Sequence, residues 1–250
     1  MNTAQIRFYA DLSFFLPHST SRGLVTYSFR GEPAIKDSIE AIGVPHPEVE
    51  LILVDGAAVH FEYRLRDGDR VSVFPHFRNL TPGEGMILRG PPPEPVRFVL
   101  DIHLGRLADY LRLLGFDSLY QNTYEDRELA RIASSEGRVL LSRDRGLLKR
   151  SEVQWGYCLR SSQPREQVLE VLLRYRLKLA VQPFARCMRC NGRLEPVRKE
   201  VVLDKLPLSV QNEQDEFRRC QECGQVYWRG SHFERLSAFV EGLLSAPGLD

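Results

Sequence analysis

Three aspartates in the middle of the chain are the residues whose types and positions could do chemistry. Asp101 closes the apolar run FVL, Asp126 lies in the first turn of a predicted helix, and Asp144 follows shortly after the apolar run VLLS. Three carboxylates brought close together repel one another unless cations neutralise them, and Mg²⁺ or Mn²⁺ suits such hard oxygen ligands. One or two ions held there could activate water and stabilise the leaving oxygen in phosphodiester hydrolysis.

Each aspartate also has a local structural explanation. Asp101 could be the N-cap of the helix that follows it, and Asp144 could cap its own short helix. Thr123 and Asp126 have the spacing of a capping box, with Asp in place of the usual Glu. The residue types alone leave both interpretations open: a metal site, or three independent caps.

An alternation of strands and helices is what would bring the three aspartates together. Between residues 96 and 182, apolar runs typical of strands alternate with segments of helical periodicity. The first predicted helix has one apolar face, formed by Leu104, Leu107, Ala108, Leu111 and Leu114. This alternation favours a parallel sheet with right-handed crossovers, in which the carboxyl ends of all strands lie at one edge.

Four cysteines in the C-terminal part predict a zinc site. Cys187 and Cys190 form one C-x-x-C pair, Cys220 and Cys223 form the other, and a glycine follows each pair closely. Two such turns complete a tetrahedral zinc site, which is structural because no coordination position stays open. The gap between the pairs is longer than the common finger spacing, so we expect a zinc ribbon with an inserted loop. Redox-active thiols and an iron–sulfur cluster are the alternatives.

The first 88 residues predict a small sheet with a helix on one face. Strands are expected at QIRFY, LVTYSF, VELILVDG, AVHFEY and DRVSVFP, and a helix at EPAIKDSIEAIG. Asp55-Gly56 is a hairpin signal after the third strand. Residues 89–95 contain four prolines, which predict a stiff, extended linker.

Charge is distributed unevenly along the chain. Residues 1–95 carry 9 Lys and Arg against 12 Asp and Glu, residues 96–186 carry 16 against 11, and residues 187–250 carry 9 against 10. Only the middle segment is basic, and a polyanionic substrate would be drawn to it. Its cations beside Asp144 could hold a phosphate backbone: Arg143, Arg145, Lys149 and Arg150. A mildly basic solvated surface is the alternative.

Composition narrows the class of protein and its compartment. Apolar residues make up 43% and charged residues 27% of the chain, as in ordinary globular proteins. The chain contains no run of about 18 apolar residues, so we expect no transmembrane helix. The N-terminal residues lack a basic start followed by an apolar run, so we expect no signal peptide. With cysteines in C-x-x-C pairs, we expect a reducing, cytoplasmic compartment.

The motifs of the middle segment resemble a known nuclease family. VLDIHLGRLADYLRLLGFDSLY, EDREL and GRVLLSRDRGLL follow in the order of the PIN-like RNase family named after the C-terminal domain of the nematode Mut-seven exonuclease. The resemblance implies a metal-dependent RNase fold, with the family's acidic positions on Asp101, Asp126 and Asp144. It also implies that Arg143 contacts phosphate. Gly146 stands where many members carry a further acid, which implies a minimal site.

The same family often ends with a zinc ribbon directly after the RNase core. The resemblance therefore implies that the ribbon binds RNA through its arginines: Arg186, Arg189, Arg218 and Arg219. Tyr227 and Trp228 could stack on bases, or they could pack against the ribbon or the core.

The N-terminal segment resembles ubiquitin-like β-grasp domains of the sulfur-carrier type. ILVDGAAV followed by LRDGDRVSVFP carries this resemblance. Such carriers act through a C-terminal Gly-Gly tail, whereas here the chain continues through HFRNLTPGEG. The carrier chemistry is therefore not transferred to this chain, and an accessory or protein-binding domain is the expected role.

We therefore expect an α/β protein in three parts. A ubiquitin-like β-grasp domain of α+β type (1–88) leads through the linker 89–95 to a PIN-like parallel-sheet RNase core (96–182), followed by a four-cysteine zinc ribbon and tail (183–250). The expected function is Mg- or Mn-dependent hydrolysis of RNA, with structural zinc, RNA as a partner, a protein partner through the β-grasp domain, and no membrane. The alternative is a non-catalytic RNA- or protein-binding adaptor with a degenerate core.

Overall fold

The computed structural model describes residues 1–17, 20–77, 83 and 86–249. It divides into two compact units, the first formed by residues 1–94 and 125–158 and the second by residues 95–124 and 159–250. Most of the segment HFRNLTPGEG, which distinguishes the chain from a Gly-Gly carrier, lies outside the described residues. The domain limits expected above stay a prediction.

The N-terminal strands form one mixed sheet. The elements are β1 (Asn2–Phe8), β2 (Leu24–Phe29), α1 (Ile35–Ile42), β3 (Val49–Val54), β4 (Ala57–Val59) and β5 (Arg70–Pro75), with 3₁₀ helices at Ala10–Phe15, Ser21–Gly23 and His46–Glu48. The strand order is β2-β1-β5-β3-β4. β1 pairs with β5 in parallel, whereas β1 with β2, β3 with β4 and β3 with β5 are antiparallel. This confirms the predicted β-grasp arrangement.

The Asp-Gly signal forms the predicted hairpin, but the strand after it is shorter than expected. Asp55 and Gly56 both have positive φ, 49° and 87°, as a two-residue type I′ turn requires. β4 ends at Val59. The residues beyond it satisfy the start of α1 instead, because the carbonyls of Phe61 and Tyr63 accept its first N–H groups. α1 has no side-chain cap of its own.

The middle of the chain alternates strands and helices as predicted. The elements are β6 (Phe98–Leu100), α2 (Gly105–Leu113), β7 (Ser118–Leu119), α3 (Asp126–Glu136), β8 (Val139–Ser142), α4 (Arg145–Leu148), β9 (Gly156–Cys158) and α5 (Pro164–Tyr175), with 3₁₀ helices at Ile102–Leu104 and Lys178–Ala180. β6 pairs in parallel with β7 in the second unit, and β8 pairs in parallel with β9 in the first. Every residue of β6, β8 and β9 is buried, as in parallel sheets covered on both faces.

The predicted apolar face of α2 is buried along its whole length, from Leu104 to Leu114. The helix is followed by Gly115, which has a φ of 94°. A side chain at Gly115 would also collide with the chain, because a Cβ would lie 2.3 Å from the carbonyl oxygen of Gln182. Glycine is therefore required here by both the backbone angle and the close approach.

The C-terminal part is a small antiparallel sheet with helices inserted into it. The elements are β10 (Leu194–Val197), α6 (Lys199–Val202), α7 (Leu208–Glu213), β11 (Phe217–Cys220), β12 (Val226–Trp228) and α8 (Ser231–Leu244), with a 3₁₀ helix at Leu203–Lys205. The strand order is β10-β11-β12. The expected inserted loop is therefore helical, and its residues share a core with the sheet: Val202, Leu206, Phe217 and Val226. Among the described residues, no helix is both long and apolar enough to cross a membrane.

Candidate active site and metal centre

Asp101 lies directly after β6 and is 5% exposed. Its carboxylate accepts a hydrogen bond of 2.6 Å from the backbone N–H of Ile102, so it caps the turn that leads into α2. Tyr120 also holds this turn, since its hydroxyl donates to the carbonyl of Ile102 at 2.9 Å. Gly105 permits this contact, because a Cβ there would lie 2.9 Å from the Tyr120 hydroxyl oxygen. Asp101 thus caps the 3₁₀ helix Ile102–Leu104, whereas the N-cap of α2 itself is Leu104, which makes no side-chain cap bond.

Asp126 is the first residue of α3 and is exposed. The predicted capping box is wrong, because the N-cap of α3 is Glu125 and makes no side-chain cap bond. A carboxylate in the first turn is still favourable, since the helix dipole concentrates positive potential there.

Asp144 is the N-cap of α4, as predicted. One carboxylate oxygen accepts from the backbone N–H of Gly146 at 2.6 Å. The backbone N–H of Asp144 donates to the Ser142 hydroxyl at 2.8 Å, which fixes the turn after β8. A Cβ at Gly146 would lie 3.1 Å from that carboxylate oxygen, so the small residue leaves room for the cap. Arg143, between the strand and the cap, is exposed.

The three aspartates predicted to hold metal are divided between the two compact units. Asp126 and Asp144 belong to the first unit and Asp101 to the second. Within the described ranges, one group of three or more candidate ligands has all its ligand atoms within 4.8 Å of one another, and it consists of the four cysteines. A metal site built from the three aspartates, with Arg143 beside it, therefore stays a prediction.

The four cysteines are brought together as predicted. The sulfur atoms of Cys190 and Cys220 are 3.3 Å apart, and those of Cys187 and Cys223 are 3.7 Å apart. A tetrahedral site with Zn–S bonds of about 2.3 Å has S···S edges of about 3.8 Å, so the arrangement fits a zinc ion. Cys187 and Cys220 are buried.

The protonation of Cys187 is tuned by its surroundings. Burial raises its pKa, but hydrogen bonds from the Tyr227 hydroxyl and from the backbone N–H groups of Cys190 and Arg189 outweigh burial and lower the pKa to about 7. A thiol with this pKa is half ionised near neutral pH, and the thiolate is the form that binds metal. The surroundings of Cys187 therefore favour the form that binds metal.

Comparison with known proteins shows the family. A sequence model of the Mut7-C RNAse domain matches residues 96–240, which is more than half of the chain. The chain belongs to the Mut7-C RNAse domain family. A second model, Mut7-C ubiquitin, matches residues 1–81. Both resemblances noted in the sequence are thereby confirmed, and the chain is a member of a nuclease-like family with a ubiquitin-like N-terminal segment.

No curated protein matches the chain. Among solved structures, the crystal structure of SAMP1 from Haloferax volcanii is 14% identical, and the match covers 30% of this chain and 97% of that chain with a TM-score of 0.24.

Two cations of the Mut7-C RNAse domain contact the Mut7-C ubiquitin segment. Arg145 donates to the carbonyls of Phe15 (3.0 Å) and Phe14 (3.4 Å), and its guanidinium lies over both rings. The Lys149 ammonium donates to the carbonyl of Glu40 at 2.5 Å. Both cations were expected to hold phosphate. In the structure, both donate hydrogen bonds to backbone carbonyls of the first unit. Arg143 is the exposed arginine next to Asp144.

The 3₁₀ helix His46–Glu48 adds buried polar contacts to the same unit. Glu48 is 2% exposed, and its carboxylate accepts from the backbone N–H of Cys158, at the end of β9, at 2.6 Å. His46 contacts the Val153 carbonyl through Nε2 at 2.8 Å and Glu40 through Nδ1 at 2.7 Å. Burial lowers the pKa of His46, opposed by the hydrogen bond with Glu40. No local motif predicts the contacts with Val153 and Cys158, because their partners are far apart in sequence.

We expect Glu48→Ala to lower the free energy of unfolding of the first unit by about 2 kcal/mol, because it leaves a buried backbone N–H without its acceptor. The measurement is urea denaturation followed by near-UV circular dichroism. Glu62→Ala is the matched control, since Glu62 is an exposed acid of the same segment and its loss should change stability by less than about 0.5 kcal/mol. Equal midpoints for the two variants would contradict the role of Glu48.

Proposed function

We propose that this Mut7-C protein is a metal-dependent ribonuclease that hydrolyses RNA phosphodiester bonds. The observation that carries the proposal is the family match over residues 96–240, which includes Asp101, Asp126, Arg143 and Asp144. The net positive charge of the segment from 96 to 186 supports an anionic substrate. We further propose a reducing, cytoplasmic setting, in which the four cysteines stay available to zinc.

The residues have separate roles in this proposal. Asp101, Asp126 and Asp144 supply the carboxylate oxygens that Mg²⁺ and Mn²⁺ prefer. Asp126 and Asp144 are exposed, so an ion from solvent can reach them. Bound divalent ions would activate a water molecule and stabilise the charge that develops on the leaving oxygen. Arg143 would contact a phosphate of the backbone and orient it.

The first turns of the helices support this use of the acids. Asp101 and Asp144 each accept a backbone N–H bond, which holds each carboxylate in a defined orientation. A cap and a metal ligand are compatible roles, because a carboxylate offers two oxygens and about four acceptor positions.

A non-catalytic RNA- or protein-binding adaptor is the second candidate. The observation that favours it is Gly146, which stands where many members of the family carry a further acid. The Mut7-C ubiquitin segment would then be the candidate site for a protein partner. The adaptor predicts RNA binding that does not depend on Mg²⁺ or Mn²⁺ and no loss of intact RNA.

We expect the protein to cleave end-labelled RNA with Mg²⁺ or Mn²⁺. Cleavage should stop in EDTA and resume when either ion is restored. A DNA strand of the same sequence reports the preference for RNA. Because EDTA also competes for zinc, the zinc content of each sample is measured, and one arm restores zinc alone. Recovery of cleavage with zinc alone would show that EDTA had acted by removing zinc from the cysteine site. RNA that is bound but stays intact with every divalent ion would instead support the adaptor.

A further inference from the structure

We propose that Arg112 and Tyr227 support the four-cysteine metal site, and that Arg112 thereby joins zinc binding to helix α2 of the Mut7-C RNAse domain. The inference rests on zinc as the bound ion and is independent of nuclease activity. All the residues concerned belong to the second unit.

Arg112 connects the first cysteine turn to the helix. It is 4% exposed, although it is the second-to-last residue of α2. One of its terminal nitrogens donates to the carbonyls of Met188 (3.0 Å) and Arg189 (3.3 Å), which are the two residues between Cys187 and Cys190. Its Nε donates to the carbonyl of Ser118 in β7 at 2.9 Å. One buried side chain thus joins α2, β7 and the cysteine turn.

The positive charge of Arg112 can offset the negative charge of the metal site. Four thiolates and one Zn²⁺ carry a net charge of −2. Cys187 and Cys220 are buried whereas Cys223 is exposed, and the buried part of this charge is costly without an opposite charge nearby. Burial lowers the pKa of Arg112, while the charges of Asp109, Cys190 and Cys187 oppose that effect. A guanidinium is the group best suited to this place, because it stays protonated and its planar donors reach several carbonyls at once.

Tyr227 contacts the metal ligand directly. Its hydroxyl oxygen lies 3.1 Å from the sulfur of Cys187, and the ring packs against the buried cysteines Cys187 and Cys220. When the sulfur is a metal-bound thiolate, the hydroxyl is the donor. The contact fixes the orientation of the thiolate, as hydrogen bonds to metal ligands generally do. Packing, which was the alternative to stacking on bases, is therefore the contact that Tyr227 makes in the structure.

A second connection runs beside Arg112. The Asn191 side chain accepts from the backbone N–H of Ser118 (2.9 Å) and donates to the Asp117 carboxylate (2.9 Å). Arg186 donates to the same carboxylate at 3.3 Å and to the Asn191 carbonyl at 2.8 Å. Arg186 is thus engaged within the protein, and its expected contact with RNA stays a prediction. Together these bonds attach the cysteine turn to the start of β7.

The consequence is that zinc binding orders more than the ribbon. α2 begins four residues after Asp101, and its C-terminal end is attached to the cysteine turn through Arg112. Loss of zinc should therefore loosen the last turn of α2 and β7, although no cysteine lies in either.

The experiment uses full-length protein with Co²⁺ in place of zinc. We expect Tyr227→Phe to shift the thiolate-to-cobalt absorption bands and to weaken zinc binding about 10-fold in competition with a chromophoric chelator, as losses of ligand-supporting bonds typically do. Arg112→Lys, which keeps the charge but not the planar fork, should weaken binding similarly. The controls are Tyr27→Phe in β2 and Arg106→Gln on the exposed side of α2, which should match the wild type.

Hydrogen exchange supplies the second readout and does not depend on any variant folding. In the wild-type protein, removal of zinc should speed exchange of amides 110–119 about 10-fold or more, while amides of β1 to β5 stay unchanged. Wild-type spectra and affinities in Tyr227→Phe, or zinc-independent exchange of amides 110–119, would overturn the proposal. Absence of thiolate-to-cobalt bands in the wild type would overturn it at an earlier step, because the cysteine metal site itself would be missing.

Discussion

Asp144→Asn should reduce metal-dependent RNA cleavage about 100-fold or more without lowering stability. Loss of residues that merely support a metal ligand costs about 10- to 100-fold, so loss of a ligand charge should cost at least the upper value. The fold should survive, because asparagine is as good an N-cap as aspartate and can keep the bond from the Gly146 N–H. The measurement is the initial rate of RNA cleavage across a Mg²⁺ or Mn²⁺ titration, together with thermal unfolding.

Two further variants separate metal binding from helix capping. Asp144→Ala removes both roles and should lose cleavage to the same extent, with stability lower by about 1 kcal/mol. Glu128→Gln removes another exposed acid, in the first turn of α3, and should cleave at the wild-type rate. Cleavage that is normal in Asp144→Asn and reduced only in Asp144→Ala would assign Asp144 to capping alone and would sink the proposed site.

Cys220→Ser should abolish zinc binding and unfold the three-stranded sheet. Cys220 is 1% exposed in β11, and its sulfur lies 3.3 Å from that of Cys190. Structural zinc contributes on the order of 10 kcal/mol to small sites of this kind. The sheet's own core is small, with four buried residues, and cannot replace that contribution. The measurements are zinc content of the purified protein and hydrogen exchange of residues 194–228.

The fifth cysteine provides the control. Cys158 lies at the end of β9 in the first unit and is not in the group of candidate ligands. Cys158→Ser should therefore retain zinc, and the amides of the ribbon sheet should still exchange slowly. Full zinc content in Cys220→Ser would refute a four-cysteine site.

The sequence by itself determined the features that depend on local patterns. The helical spacing of leucines in α2, the positive φ angles expected at Asp55-Gly56, and the strand–helix alternation after residue 96 all appear in the structure. Each of these features is encoded by neighbouring residues, because helical periodicity, turn formation and helix capping depend on residues only a few positions apart in sequence. The C-x-x-C pairs belong to the same class, since their spacing alone predicts a shared ion.

Only the tertiary structure decided how the charged residues are used. Arg145, Lys149 and Arg186 looked like phosphate contacts, but each donates to carbonyls or a carboxylate elsewhere in its own unit. Arg112 gave no sign of its buried position, because a helical arginine usually faces solvent. The physical reason is that a side chain's charge is visible in sequence, whereas its burial depends on which distant surface folds over it.

The three aspartates depend on both the local sequence and the tertiary structure. Their positions after strands and at helix starts follow from local sequence, and the caps formed by Asp101 and Asp144 agree with it. Whether three carboxylates meet around an ion depends on the long-range arrangement of their strands and on the ion itself, since like charges approach closely only when a cation neutralises them. The cysteines converge because two short turns and one antiparallel sheet carry all four of them. For the aspartates, the local pattern fixes the backbone turn at each residue, whereas a shared metal site depends on side chains from segments far apart in sequence.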